Sequence, residues 1–220
     1  MNIAKREFPD IGLIAFDLES SHTAYGGAVS IKNNTYKFDE VDFKKGDVFV
    51  DLGANIGLVS MYVAGHFSAE VHAFECCPTN FRLLNLNSFA NNVTIITNSF
   101  GVSDETKVAQ MNIDSTNTGG TSLYATEEGE SRIRESAYLL DFEVAMEPFK
   151  KIKYLKMDIE GAEFAIFQKL IKNKSRFFEK VEFFHLEVHN QYLIDNFEER
   201  ESEIINYLDT FSNLKTFILR

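Results

Sequence analysis

Apolar residues along this chain fall into short continuous runs, separated by stretches in which they recur at helical spacing. Val48-Phe49-Val50 is a run of β-formers that ends on Asp51 and Leu52. The turn Gly53-Ala54-Asn55-Ile56-Gly57 follows, and residues 58–64 read as a helix. Val71-His72-Ala73-Phe74 is a second strand, ending on Glu75. Pro78, whose fixed φ suits a first helical turn, opens a helix through about residue 90, with Phe81, Leu84 and Leu86 at roughly helical spacing. Residues 93–97 read as a buried third strand. Beyond them the pattern predicts a strand over 152–157 ending on Asp158, and a helix over 163–171. A strand over 181–188 ending near His189, an amphipathic helix over 199–208 and a last strand over 214–219 complete the series.

Strands alternating with helices in this order predict an α/β fold, a doubly wound and mostly parallel sheet. Two regions depart from the alternation. Residues 11–46 carry short alternating segments, Ala28-Val29-Ser30-Ile31 and Thr35-Tyr36-Lys37-Phe38, broken by Gly26-Gly27 and Asn33-Asn34. They predict a small β-hairpin region ahead of the main fold. Residues 114–136 are polar and glycine-bearing, then charged, and read as a loop, either solvated or covering a substrate. The expected organisation is therefore an N-terminal β-hairpin extension over 1–45 packed on a core domain over 46–220. No internal repeat or linker divides the chain further.

Composition narrows the class. Lys plus Arg number 22 against 33 Asp plus Glu in 220 residues, a formal net charge of -11. That balance opposes the basic face that nucleic acid requires, and equally an anionic membrane surface. The two cysteines, Cys76 and Cys77, are sequence neighbours and lack the spacing of a metal site or a disulfide framework. With no leader-like N-terminal stretch and no run as long as a membrane span, the expectation is a cytoplasmic protein with reduced thiols.

The glycine turn carries the first chemical signal. A strand, glycine turn and helix present backbone to a nucleotide-like ligand. The pyrophosphate-binding form requires G-x-G-x-x-G, but Asn55 holds the middle place here, and Asp51 would repel a pyrophosphate. A carboxylate beside a shortened turn suits a ligand with an amino group and a sulfonium, which favours S-adenosylmethionine (SAM) over NAD. Glu75, at the tip of the second strand, has the place of an acceptor for ribose hydroxyls. It is expected to face the crevice and to matter little for the stability of the unliganded chain.

Asp158, Glu160, Glu163, Glu187 and His189 sit at or just beyond the ends of two successive strands. Ligands of open parallel sheets bind outside the carboxyl ends of strands, so this group should share a crevice with Asp51 and Glu75. An oxygen acceptor of a methyl group needs alignment and a base. His189 has the solution pKa for that base, against a structural role at the strand end. Asp158 would orient the acceptor or contact the methionine end of SAM. Glu160 serves either the chemistry or the N-terminus of the following helix. These oxygens also suit a hard cation such as magnesium, but no metal is assigned. His22, His66, His72 and His185 show no partner spacing, and the 21 Phe read as core.

Three segments together, Val50-Asp51-Leu52-Gly53-Ala54-Asn55-Ile56-Gly57, Ala73-Phe74-Glu75-Cys76-Cys77-Pro78 and Leu155-Lys156-Met157-Asp158-Ile159-Glu160-Gly161-Ala162-Glu163, resemble the FkbM family of SAM-dependent methyltransferases. Gly119-Gly120-Thr121-Ser122-Leu123 and Glu187-Val188-His189 resemble weaker family features, and the resemblance covers about residues 46–190. It implies a class I, Rossmann-like methyltransferase fold whose seven-stranded sheet has an antiparallel last strand. It also implies O-methylation of a hydroxyl on a sugar, glycan or secondary metabolite. By position, Asp51, Gly53, Asn55 and Gly57 would carry the cofactor turn and Glu75 the ribose. Cys76 falls in the same cofactor set, Asn98 and Ser99 lie where adenine is contacted, and Asp158 adjoins the methionine end. The catalytic set is His189, Asp158 and Glu160. The competing readings are a protein that binds SAM without transferring methyl, and an NAD-dependent oxidoreductase, which the missing middle glycine opposes.

Overall fold

The computed structural model describes residues 2–114, 132–189 and 196–219. At the N-terminus β1 (Ile3–Phe8) pairs antiparallel with β2 (Leu13–Leu18), and α1 (Thr23–Lys32) follows. The hairpin region therefore exists, but not where alternation placed it. Residues 28–31 are helix, because Ala24, Ala28 and Ile31 recur at helical spacing and bury one face. Gly26-Gly27 is part of that helix rather than a turn. A Cβ on Gly27 would stand 3.2 Å from Leu58 Cδ2, so its absence lets α1 lie close against the next helix. Residues 35–38 form no strand; Lys37, at φ 55, leads into a short 3-10 turn over Phe38–Glu40.

The core alternation follows the sequence closely: β3 (Val48–Leu52), α2 (Leu58–Phe67), β4 (Glu70–Phe74), α3 (Pro78–Ala90) and β5 (Ile96–Asn98). The third strand starts three residues later than its apolar run, because Asn92 at φ 53 and Val93 N, bonded to Ser88 O, still belong to the end of α3. Next come β6 (Gly101–Ser103), β7 (Lys107–Asp114) and β8 (Arg132–Asp141), a separate three-stranded sheet in the order β6-β8-β7. Residues 132–136, expected in a loop, are thus strand; 115–131, including the Gly119–Leu123 segment, lie outside the described residues. The chain continues through α4 (Phe142–Met146), β9 (Ile152–Met157), α5 (Glu163–Lys172), β10 (Val181–Glu187), α6 (Phe197–Leu208) and β11 (Lys215–Leu219).

The central sheet has six strands in the order β11-β10-β9-β3-β4-β5, and every pairing in it is parallel. An antiparallel last strand is absent among the described residues. Helix α6 carries the chain back across the sheet before β11, so β11 enters β10's edge in the same direction. Alternate residues of each strand face opposite layers. Val50, Leu52, Leu155, Met157, Phe184 and Leu186 meet α4, α5 and α6 on one face. Phe49, Tyr154 and Phe183 meet α1, α2 and the hairpin on the other. A fully buried side chain of this size contributes about 1.5–3 kcal/mol, so these two apolar layers carry the sheet.

The hairpin is joined to α3 by amide side chains. Asn91 accepts from Ile14 N and donates to Ile14 O; Asn87 accepts from Phe16 N and donates to Phe16 O and Ile56 O. Spaced one helical turn apart, the two asparagines satisfy alternate residues of the β2 edge as a neighbouring strand would. No described helix is long and apolar enough to cross a membrane.

Candidate active site

Strands β3, β4 and β5 are laid down in one direction across the sheet, and β9, β10 and β11 in the other. The order reverses between β3 and β9, where open parallel sheets hold ligands. The turns that leave these two strands touch. A Cβ on Gly53, which has φ 80, would stand 1.8 Å from Asp158 O. Glycine is required there by the neighbouring turn of the protein itself. At Gly57 the constraint is chiefly its φ of 90, with the Leu84 side chain of α3 standing 2.3 Å from where a Cβ would lie. Gly53 N and Ala54 N both donate to Phe74 O, which fixes the turn to the end of β4.

Glu75 is buried beneath this turn. Its Oε2 accepts from Asn55 N at 2.8 Å and its Oε1 from Cys77 N at 2.7 Å. Burial pushes its carboxyl up to about 7, against the lowering effect of those two N–H groups. Glu75 is thus part of the turn's own framework, contrary to the expectation that it matters little without ligand. Asn55, at φ 52, has a buried Oδ1 without a hydrogen-bond partner. That orphaned acceptor lies where two cavities meet.

The smaller cavity, about 70 Å³, is a slot between Glu75, Cys76, Gly101 and Val102 on one side and Asp158 and Ala162 on the other. The larger, about 960 Å³, is walled by α1 residues such as Thr23 and Gly26 as well as by Lys156, Asp158, Glu187 and His189. Gly53, Asn55, Asp158 and Glu160 line both. Three of the expected site residues lie elsewhere. Asn98 donates from Nδ2 to Ala73 O and Ser99 is exposed, because the chain passes outward there and returns as β6. Gly101 and Val102 border the slot in their place. Asp51 lines neither cavity: it is fully buried on the α2 side of β3, accepts from Ser60 Oγ at 2.7 Å and lies 3.2 Å from Lys156 Nζ.

Lys156 stands inside an apolar strand, where the sequence pattern assigns it no role. Its ammonium bridges Asp51 Oδ1 and Asp158 Oδ2, each at 3.2 Å, and donates to Gly53 O. Burial alone would lower its pKa, but Asp158 and Asp51 outweigh it and hold the lysine well above its usual value. Lys156 therefore remains charged and pins both strand-end turns.

The β9–α5 turn is held by Glu163 rather than Glu160. Glu163 is fully buried, and its carboxylate accepts from Ile159 N and Gly161 N. Its Oε1 also lies 3.1 Å from His189 Nδ1. The other ring nitrogen, Nε2, lies 3.5 Å from Glu160 Oε2, 3.6 Å from Asp158 Oδ1 and 3.9 Å from Glu187 Oε1. Burial would lower the His189 pKa, but the hydrogen bond to Glu163 and the charges of Glu163, Glu160 and Asp158 raise it to about 9. With its pKa so raised, His189 is held as an imidazolium at neutral pH, not the ready base that its solution pKa suggests. Burial and Asp158 likewise push the Glu187 carboxyl up. Ligand atoms of Asp158, Glu187 and His189 lie within 4.8 Å of one another, close enough to share a cation.

A parallel α/β sheet with a glycine turn and convergent strand-end acids at its switch point defines a nucleotide-type binding fold. Residues 51–215 match the methyltransferase FkbM domain, and the chain belongs to that methyltransferase family. It is similar to the 31-O-demethyl-FK506 methyltransferase FkbM of Streptomyces tacrolimicus, 38% identical over 72 residues. That match spans 32% of this chain and 28% of the relative's length. A solved tRNA (uracil-54, C5)-methyltransferase of Pyrococcus abyssi, in complex with S-adenosyl-L-homocysteine, aligns with 80% of this chain and 33% of its own. Its TM-score is 0.41 and its identity 13%.

Proposed function

We propose that this chain transfers a methyl group from SAM to a hydroxyl of a sugar, glycan or other polyhydroxylated metabolite. The observation that carries the reading is the junction at Asn55. Its orphaned Oδ1 and the buried Glu75 carboxylate offer acceptors for the donors of SAM, at the point where a narrow slot meets a wide polar cavity. Glu75 would take the ribose hydroxyls, and Asn55 with the Gly53 turn the methionine end. Bound SAM supplies a methyl group already activated by its sulfonium.

The protein's part is then to align the acceptor and accept its proton. Ser20, Thr23, Ser30 and Tyr36 line the wide cavity from the α1 side and suit an acceptor with several hydroxyls. Residues 1–45 would thus act as an acceptor-facing extension of the core. Glu160, which lines both cavities, would take the hydroxyl proton. Asp158 would orient the acceptor, and His189 would hold the carboxylates in register. The relative from Streptomyces, by its name, acts at an oxygen, which supports an O-acceptor here.

Calorimetry with SAM and with NAD separates the cofactor classes. Methyl-labelled SAM with glycan and metabolite extracts then identifies the acceptor. SAM binding and label on a hydroxyl are the expected results. NAD binding without SAM binding would overturn the reading, and SAM binding with no labelled product would leave a SAM-binding protein without transfer.

A further inference from the structure

We infer that Asp158, Glu187 and His189 form a site for one divalent cation on the wall of the wide cavity. The inference deepens the methyl-transfer reading and rests on it only for the cation's use; the site itself rests on the geometry of three side chains.

The first observation is spacing. His189 Nε2 stands 3.6 Å from Asp158 Oδ1 and 3.9 Å from Glu187 Oε1. These distances are too long for hydrogen bonds. Donor atoms of a cation bound at about 2.1 Å stand roughly 3.0 Å apart when adjacent, so these three would draw in by less than an ångström to share one ion. The second observation is orientation. Glu163, outside the three ligands and fully buried, lies 3.1 Å from His189 Nδ1 and directs Nε2 toward Asp158 and Glu187, with Glu160 Oε2 beside them at 3.5 Å. Carboxylates support metal-binding imidazoles in this way. Lys156 does the same for Asp158, holding Oδ2 and leaving Oδ1 on the His189 side.

The third observation is access and charge. All three ligands line the cavity of about 960 Å³, so the remaining coordination positions of a cation would open toward a hydroxyl-bearing acceptor. Asp51, Asp158, Glu163 and Glu187 gather around Lys156 and His189, four acids to two bases. A divalent cation offsets that excess. Ligation uses the neutral imidazole, so the cation takes the place of the ring's second proton. Two carboxylate oxygens with one imidazole nitrogen suit manganese or zinc better than calcium, which takes oxygen ligands throughout.

The test uses chelator-treated protein titrated separately with Mn2+ and with Zn2+, read by calorimetry and, for Mn2+, by electron paramagnetic resonance. One ion per chain is expected. Asp158→Asn and Glu187→Gln should each weaken binding at least tenfold, and Glu163→Gln by about 10–100-fold through the orientation of His189. Asp42→Asn, at an exposed acid, should leave it unchanged. In wild-type protein, which needs no substitution, Mn2+ should broaden the amide signals of Ile159, Glu160 and Val188. Absence of Mn2+ and Zn2+ binding, unchanged affinity in the folded variants, or broadening centred away from these three residues would each overturn the site. Chelated protein that binds SAM but no Mn2+ or Zn2+ would sink this inference and leave the methyltransferase reading standing. Protein that binds Mn2+ but not SAM would do the reverse.

Discussion

His189 Nδ1 and Glu163 Oε1 stand 3.1 Å apart, joining the end of β10 to the first residue of α5. Because the same carboxylate accepts from Ile159 N and Gly161 N, one buried side chain sets both the β9–α5 turn and the direction of the histidine. Glu163→Ala should destabilise the protein by about 3 kcal/mol, since it leaves two backbone donors of that turn without their charged acceptor. Urea unfolding measures the loss. In chelated Glu163→Gln protein, the His189 pKa should fall from about 9, because burial lowers it once the main raising partner is gone. A histidine that still titrates near 9 by NMR would assign the shift to Glu160 and Asp158 instead.

The Glu75 carboxyl makes stability depend on pH in an unusual sense for an acid. Its pKa is about 7 in the fold against 4.5 for the free group, so the folded state holds the proton more tightly. Its contribution is therefore greatest below pH 4.5 and falls as pH rises through 7, by about 3 kcal/mol in full. Glu75→Gln should remove that slope from denaturation curves taken at pH 5.5 and 8. If ribose hydroxyls bond the ionised carboxylate, SAM affinity should rise over the same interval in wild-type protein and stay flat in the variant.

Gly53→Ala should cost far more than Gly12→Ala. Both positions have positive φ, which opposes any Cβ by about 1–3 kcal/mol. Gly12 has open space around it, whereas at Gly53 the new atom would overlap Asp158 O. Equal shifts of the unfolding midpoint would show that the close approach of the two turns is not what constrains Gly53.

Asn87→Ala removes three hydrogen bonds, to Phe16 N, Phe16 O and Ile56 O. The expected destabilisation is about 3 kcal/mol, with the damage concentrated in the hairpin. Hydrogen exchange of the Phe16 amide should accelerate well beyond that of core strands such as β9. Unchanged protection at Phe16 would mean that β1 and the apolar contacts alone hold the hairpin.

The acids at the strand ends show how far local reading reaches. Glu75, Asp158 and His189 were placed at strand tips by the period of the apolar residues before them, and the structure brings all three to the cavities. Asp51 was read from the same kind of position but points to the other face of its strand, under α2, where Lys156 and Ser60 hold it. Strand alternation puts neighbours on opposite faces, but it does not say which face will be covered. Asn98 and Ser99 missed for a related reason: the turn after β5 decides what borders the slot.

What the sequence by itself determined is the strand–turn–helix of residues 48–64, the alternation that follows, and the glycines, Gly53 and Gly57, that the turn after β3 requires. These depend on short-range periodicity and on backbone conformations that few residues adopt. Only the tertiary structure decided the helix at 23–32, the parallel β11, and the partnerships of Lys156 with Asp51 and Glu163 with His189. Local propensity at Gly26-Gly27 opposed a helix, and the close packing of α1 on Leu58 overrode it. Ion pairs between separate strands arise from sheet order, because adjacency across a sheet leaves no spacing rule in the chain.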